Sequence, residues 1–390
     1  MASVVLGPGS LTVSSSIGST QGYSLLWLII IAAISMAVYT SMGARFGALH
    51  NETILQTIAS TYGRWFSVLI GLSAFISASS FQFGNNLGIG IGMKALTGVA
   101  EWVWAVIFSL SAIVLIFMAK HIYRILEKIM MILVMVMILA FFTNLVFAAP
   151  NIGAVAKGFL PTSVSMNNFS EMAALVATTF ALGGALYQPY LVQEKGWKKE
   201  NLKKGLFDAN MGVALLAIIS MLVIITSAAA LHTRGIEIHS AGDMAMQLDA
   251  LFGRFAKYVF SLGLCAAAFS SLLVNPVIGA GLLSDSLGFG KSMDAKIPKI
   301  ITIFILLLGM TIAVFFRGDV IYALIIAQAA TLVGVPLIAI GMFLVLNNKK
   351  IMLNYRNTFV QNIIAIFGFI LISVMVYFMY TKLLTFIGKV

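Results

Sequence analysis

Apolar residues run along this chain in stretches of about 18 or more, and polar residues punctuate them mainly at their ends. The stretches lie near 23–43, 65–96, 101–119, 125–149, 171–198, 205–232, 254–284, 297–316, 319–346 and 358–386. Each predicts a membrane-crossing helix, because a backbone surrounded by lipid must satisfy its own hydrogen bonds. A shorter Ser-rich piece, Leu6 to Thr20, precedes them and brings the count to about eleven if it is the remainder of a first span. The longest polar connections, about 44–64, 150–170 and 233–253, are too short for a separate domain. Residues 1–390 therefore read as a single all-α integral membrane domain.

Two of the spans are interrupted. Gly7-Pro8-Gly9-Ser10 opens the Ser-rich piece, and Leu182-Gly183-Gly184-Ala185-Leu186-Tyr187-Gln188-Pro189 falls in the middle of the run 171–198. Proline removes a backbone donor and glycine lacks helix preference, so both segments are expected to break their helices and leave carbonyls free. At bilayer depth such groups survive only where they line a cavity. Two breaks five helices apart point to an inverted-repeat transporter with its cargo near the midplane. The repeats would be about 1–149 and 171–346, with an extra helix about 358–386. Either break taken alone is equally well explained as an ordinary kink.

The order and spacing of several short motifs resemble the Nramp (natural resistance-associated macrophage protein) family of divalent-metal transporters over nearly the whole chain. Gly7-Pro8-Gly9-Ser10, followed by Gly22-Tyr23-Ser24-Leu25-Leu26-Trp27, is similar to that family's Asp-Pro-Gly-Asn and Gly-Tyr-Ser-Leu-Leu-Trp. Gly43 to Gly47, Tyr123 to Lys128, Gly158 to Pro161, Tyr190 to Gln193, Gln328 and Pro336 fit as well. The resemblance implies a LeuT-like fold of eleven helices, with helices 1 and 6 broken and the ion held between the breaks. It implies a cargo site lined by Gly7, Ser10, the Leu182 carbonyl, Ala185 and Gln328, with Ser10 and Gln328 as metal ligands. Tyr187, Asn85 and Thr12 would belong to the pathway.

The departures from the family pattern matter as much. The metal-binding Asp falls on Gly7, its Asn on Ser10, the sulfur-bearing Met on Ala185 and the following His on Tyr187, while the carboxylates of helix 3 fall near Asn85 and Gly88. A thioether favours transition metals, whereas Mg²⁺ prefers oxygen and water. A cation in this chain would thus stay largely hydrated or be held by carbonyls, hydroxyls and the Gln328 amide. None of the 13 acidic residues falls at a predicted span centre. That removes the usual intramembrane proton relay and argues against proton coupling.

Composition narrows the remaining choices. The chain is 61% hydrophobic and 9% charged, where a soluble domain would carry about a quarter charged residues. Its formal charge of +11 belongs mostly to loops and is no nucleic-acid footprint. Counted from a cytoplasmic N-terminus, sixteen of the 24 basic residues fall inside. They are Arg45, Arg64, Lys120, Arg124, Lys128, Lys195, Lys198, Lys199, Lys203, Lys204, Lys291, Lys296, Lys299, Lys349, Lys350 and Arg356. That asymmetry favours a cytoplasmic N-terminus, in a plasma or bacterial inner membrane. Met1 to Gly9 lacks the features of a cleavable signal, and an amino terminus at membrane depth would be costly, so either the natural start is expected upstream or the chain is expected to be a shortened form.

Smaller signals have bland readings. Gly84, Gly88 and Gly92 fit close helix packing rather than a nucleotide loop. Lys94 is expected to snorkel, and Asn85 and Asn86 either line a pathway or bridge helices. Cys265 is a lone buried hydrophobe. No nucleophile stands beside a base, so an enzyme is not expected. The expected function is secondary transport of a divalent cation (Mg²⁺, Mn²⁺ or Fe²⁺) by alternating access, with the metal as cargo, the bilayer as surroundings, and neither cofactor nor protein partner. The rivals are a carrier of an amino acid or small organic solute on the same fold, and a membrane sensor that has lost its ion site.

Overall fold

The structure is a computed structural model that describes residues 7–117, 120–161, 169–290, 295–316 and 318–387. Leu6, Lys291 and Asp294 lie outside these residues, as do the side chains of Lys120, Tyr123, Arg124 and Glu127. Helices follow one another as α1 (Pro8–Gln21), α2 (Leu26–Leu49), α3 (Ile54–Tyr62), α4 (Arg64–Thr97), α5 (Glu101–Phe117), α6 (Lys120–Ala148) and α7 (Ile152–Gly158). They continue as α8 (Phe169–Thr179), α9 (Leu182–Glu194), α10 (Leu202–Ala230), α11 (Ala241–Ala245), α12 (Asp249–Phe252) and α13 (Ala256–Ser286). The last are α14 (Lys296–Phe315), α15 (Val320–Ala330), α16 (Val335–Asn347), α17 (Lys349–Met352) and α18 (Phe359–Ile387). Among the described residues there is no strand, and nine helical runs are long and apolar enough to cross a membrane.

Local chemistry sets the helix ends. Thr53 Oγ1 accepts from the Gln56 N–H at the start of α3 (3.1 Å), and Asp319 Oδ1 accepts from the Tyr322 N–H at the start of α15 (2.9 Å). These bonds occupy backbone donors that a helix start leaves orphaned. Gly98, at φ +75°, closes α4 in the left-handed region, and its N–H reaches the Lys94 carbonyl (2.8 Å).

Burial sorts the helices into an inner and an outer set. The broken pair α8–α9 has 78% of its apolar window buried, against 33% for α14 and 22% for α18. The outer helices turn apolar side chains such as Phe304, Ile363 and Phe367 outward, as a lipid-facing surface requires. At the centre α4 and α13 run antiparallel in close contact. β-Carbons added at Gly71, Gly88, Gly92 and Gly279 would collide with Ser286, Pro8, Cys265 and Ala78 respectively. The Gly84, Gly88 and Gly92 stripe is thus used for close helix approach. Lys94 pairs with Glu101 (2.6 Å) at a part-exposed helix end, away from the centre.

Candidate functional site

Three helix ends meet inside the bundle. Gly7, with φ −106° and ψ 173°, precedes α1, whose first residue is Pro8. Proline there costs nothing in hydrogen bonding, since that N–H would have no helical partner. α8 ends at Thr179, the Phe180 N–H closes back on the Val176 carbonyl (2.6 Å), and α9 begins at Leu182. The start of α1, the end of α8 and the start of α9 border a cavity of ≈ 60 Å³, lined on its other sides by α4, α13 and α15.

Neutral polar groups furnish its wall: Ser10 from α1, Ser77 and Asn85 from α4, Thr178 from α8, Ser271 and Asn275 from α13, and Gln328 from α15. Ala74, Ala78, Phe81, Ile278 and Leu282 supply the apolar remainder. Gln328 is 1% exposed and its Nε2 has no hydrogen-bond partner. Its amide lies between Gly9 and Gly84, where a β-carbon on either glycine would collide with it. Packing therefore fixes the amide, while its Nε2 stays unpartnered. The two asparagines of α4 divide their tasks. Asn86 donates to the Gln82 carbonyl (3.0 Å) and accepts from Ser109 (2.8 Å), bridging α4 to α5, whereas Asn85 lines the cavity.

Gly7, Ser10, Asn85 and Gln328, four of the residues expected from the sequence, are brought together here. Leu182, Ala185, Tyr187 and Thr12 are not on the wall, and for the three residues of α9 the reason is a shift of the second break. It lies at Phe180–Ala181 rather than within Leu182–Pro189, which is helical throughout. Leu182 is accordingly the first helical residue of α9 with a fully buried side chain, and Ala181, Gly183 and Gly184 face the cavity instead. Ala185 is also fully buried. Pro189 cannot donate to the Ala185 carbonyl, and α2 comes so close there that a β-carbon on Gly43 would stand 2.5 Å from that oxygen. Tyr187 lies one turn further along α9, stacked on Tyr190 at 5.6 Å between ring centroids. Thr12 is fully buried with an unpartnered hydroxyl and stays off the wall.

Ser77, Thr178, Ser271 and Asn275 escaped the sequence reading. For Asn275 a signal existed, the Asn275-Pro276 dipeptide inside the run 254–284. The others are ordinary small polar residues of apolar helices, and only the packing shows which way they point.

No carboxylate, imidazole or thioether appears on the cavity wall among the described residues, and no group of three or more His, Cys, Asp or Glu is assembled there or elsewhere among them. A buried carboxylate does occur at one end of the bundle. Asp285, in the last turn of α13, is fully buried and accepts from Thr53 Oγ1 (2.5 Å), Gln56 Nε2 (2.9 Å) and Tyr190 Oη (2.6 Å). It thereby ties α9 to α13 and to the start of α3.

Comparison with known proteins adds the lineage. A family model described as Natural resistance-associated macrophage protein-like matches residues 1–382. The chain is 23% identical over 351 residues to the divalent metal cation transporter MntH of Yersinia pestis (strain Pestoides F), covering 89% of this chain and 84% of that protein. Its likeness to MntH of Caldanaerobacter subterraneus subsp. tengcongensis is 23% over 368 residues, with 92% and 86% covered. Among solved structures, a manganese transporter of Eremococcus coleocola superposes with a TM-score of 0.80 at 15% identity, over 96% of this chain and 83% of that one. MhsT in complex with L-phenylalanine does so at 0.60 and 13%, over 96% and 97%. At such identities the shared property is the LeuT-like fold, and among the described residues its break shows where the chain parts between α8 and α9 at Phe180–Ala181.

Proposed function

The chain belongs to the Nramp family, and from that premise we propose that it is a secondary transporter carrying a divalent metal cation across a membrane by alternating access. One observation carries the reading: the cavity beside the α8–α9 break is walled by oxygen-bearing neutral side chains, Ser10, Asn85 and Gln328, drawn from three helices. The relatives named as divalent metal cation transporters support it. The cargo of this chain is a hard cation that keeps much of its water, Mg²⁺ ahead of Mn²⁺ or Fe²⁺. Bare dications at this depth need negative charge, which the wall does not supply, and selecting a soft metal needs sulfur. A hydrated ion asks only for hydrogen-bond acceptors, and Ser10, Asn85 and Gln328 provide them.

Transport without proton coupling follows from the same wall, since no titratable side chain among its residues can relay a proton. Residues 1–149 and 171–346 act as the two repeats, and the basic residues of the loops set the N-terminus in the cytoplasm of a cell bounded by this membrane.

The test is uptake into proteoliposomes of Mg²⁺, Mn²⁺ and Ca²⁺, with and without a pH gradient. Saturable Mg²⁺ flux, indifferent to the gradient and cut about tenfold or more by Gln328→Ala, is the expected result. Flux at the level of empty liposomes from folded protein would overturn it. A second reading is favoured by the helix ends themselves: α1 and α9 both begin at the cavity, and their N-termini suit an anionic group. Uptake of a small carboxylate solute in place of any metal would select that reading.

A further inference from the structure

A continuous helix with a proline inside it borders the cavity, and the sequence pattern did not single it out. Pro276 sits inside α13 and has no N–H to donate to the Leu272 carbonyl. That carbonyl is captured from the neighbouring helix: Gln82 Nε2 of α4 donates to it (3.3 Å). Gln82 is fully buried, and a β-carbon on Gly309 of α14 would stand only 2.8 Å from its Cγ, so its stem has one place to lie. The other end of the same amide, Oε1, receives Nδ2 of Asn85 (3.5 Å). One side chain thus satisfies the carbonyl that Pro276 leaves free in α13 and orients a cavity residue of α4.

Asn275, immediately before Pro276, points its half-buried amide into the cavity and makes no hydrogen bond among the described residues. A carboxamide at the middle of an apolar helix is costly unless something receives it. Asn85, Asn275 and Gln328 come from three different helices and present the same chemistry to one space.

We propose that Asn275 is a cargo ligand of α13 that, with Asn85 and Gln328, forms an all-amide cage selecting the hydrated form of a divalent cation, and that Gln82 is its positioning residue. The proposal rests on the cation reading given above. A fully hydrated cation presents only outward-pointing water protons, which amide oxygens accept, and three carboxamides on separate helices can surround it without stripping its shell. Magnesium gives up its water most reluctantly, so a cage of this kind favours Mg²⁺ over cations that bind through direct contact.

The experiment uses the full-length protein in proteoliposomes and measures the KM for Mg²⁺ together with inhibition by cobalt(III) hexammine, an ion of similar size to hydrated Mg²⁺ whose ligands do not exchange. Asn275→Leu should raise the KM and the inhibition constant together, by about tenfold, the loss of one hydrogen bond to a charged cargo. Asn275→Ser, which is smaller and keeps an acceptor, serves if the leucine variant does not fold, and should weaken both by less. Gln82→Leu leaves the Leu272 carbonyl unpaired and should lower the melting temperature, but in protein still folded at the assay temperature it should also move both constants in the same direction, a parallel shift that a merely structural role would not produce. The inference is overturned if Mg²⁺ enters, Gln328→Ala abolishes entry and Asn275→Leu leaves the KM within about twofold. It is also overturned if cobalt(III) hexammine fails to compete with Mg²⁺. Absence of any divalent flux in the unaltered protein would instead remove the cation reading itself, and this inference with it.

Discussion

Gly7→Asp places a carboxylate beside the cavity, and the structure sets the scale of its effect. The backbone at Gly7 is ordinary extended chain, so a side chain adds no strain. A β-carbon there would stand 3.2 Å from Ser271 Oγ and 3.8 Å from Asn85 Oδ1, which asks for a shift of a few tenths of an ångström in a small hydroxyl side chain. At about 5 Å from a dication, in surroundings of effective dielectric about 20, one carboxylate attracts the ion by about 7 kcal/mol. Burying the carboxylate costs several kcal/mol in return. The start of α1 recovers about 0.3–1 kcal/mol by its favourable dipole. The balance predicts a gain of about 1.5–3 kcal/mol, or roughly 10- to 100-fold tighter binding. Isothermal titration of the purified protein with Mg²⁺ and Mn²⁺ measures it, with Gly7→Asn as a control of equal size and no charge. Tightening by Gly7→Asp that is no greater than the tightening by Gly7→Asn would refute the reasoning, because it would mean that no cation comes within Coulomb range of Gly7.

Four further outcomes are expected. A β-carbon on Gly184 would have only Met36 Cε nearby, at 4.0 Å. Gly184→Met should therefore bring a thioether into the cavity and shift uptake toward Mn²⁺ over Mg²⁺ by about tenfold. Ala185→Met should instead overpack α9 against α2 at a cost of about 1–3 kcal/mol, read as a lower melting temperature with unchanged ion preference. Tyr190→Phe, which removes one hydrogen bond to the Asp285 carboxylate, should destabilise the fold by about 1.5–3 kcal/mol in thermal unfolding, and an unchanged melting temperature would contradict the network. Burial pushes the His50 imidazole below its ordinary value, only partly offset by its backbone bond at Ile351 and by Glu52. The unfolded chain then binds the proton more readily, so stability should fall as pH drops below about 6.5, and His50→Gln should flatten that dependence in melting curves.

Much of the architecture was legible without coordinates because the bilayer imposes a single solution on an apolar run. Every predicted span is helical among the described residues, from the Ser-rich first piece that begins at Pro8 to the last helix at Phe359–Ile387. Gly7, Ser10 and Gln328 could be placed at the site because the first break is written in the chain itself, as Gly-Pro-Gly, and because the resemblance extended to Gln328. The second break was less legible. Gly183, Gly184 and Pro189 all argue locally against a helix, yet that segment is helical, and the chain parts at Phe180–Ala181. Tertiary contact overrides the propensity there. α2 offers Gly43 and Gly47, which let the Ala185 and Pro189 carbonyls come within van der Waals range and supply a packed surface for the proline-bearing helix.

The sequence by itself therefore determined the class of protein, the order of its long apolar helices, and the absence of charge at their centres, because each of these depends on composition and on hydrogen bonding within a single segment. Which side chains share one cavity was decided by the tertiary structure alone. Asn85, Asn275 and Gln328 lie on helices far apart in the chain, and no local preference records that they face each other. Their convergence depends on how closely glycines let α1, α4 and α13 approach, and on Gln82 of one helix satisfying the carbonyl that Pro276 leaves free in another. The rotation of a helix about its own axis is set by such contacts, and a shift of two residues in one break is enough to exchange Ala185 for Gly183 and Gly184 at the cavity wall.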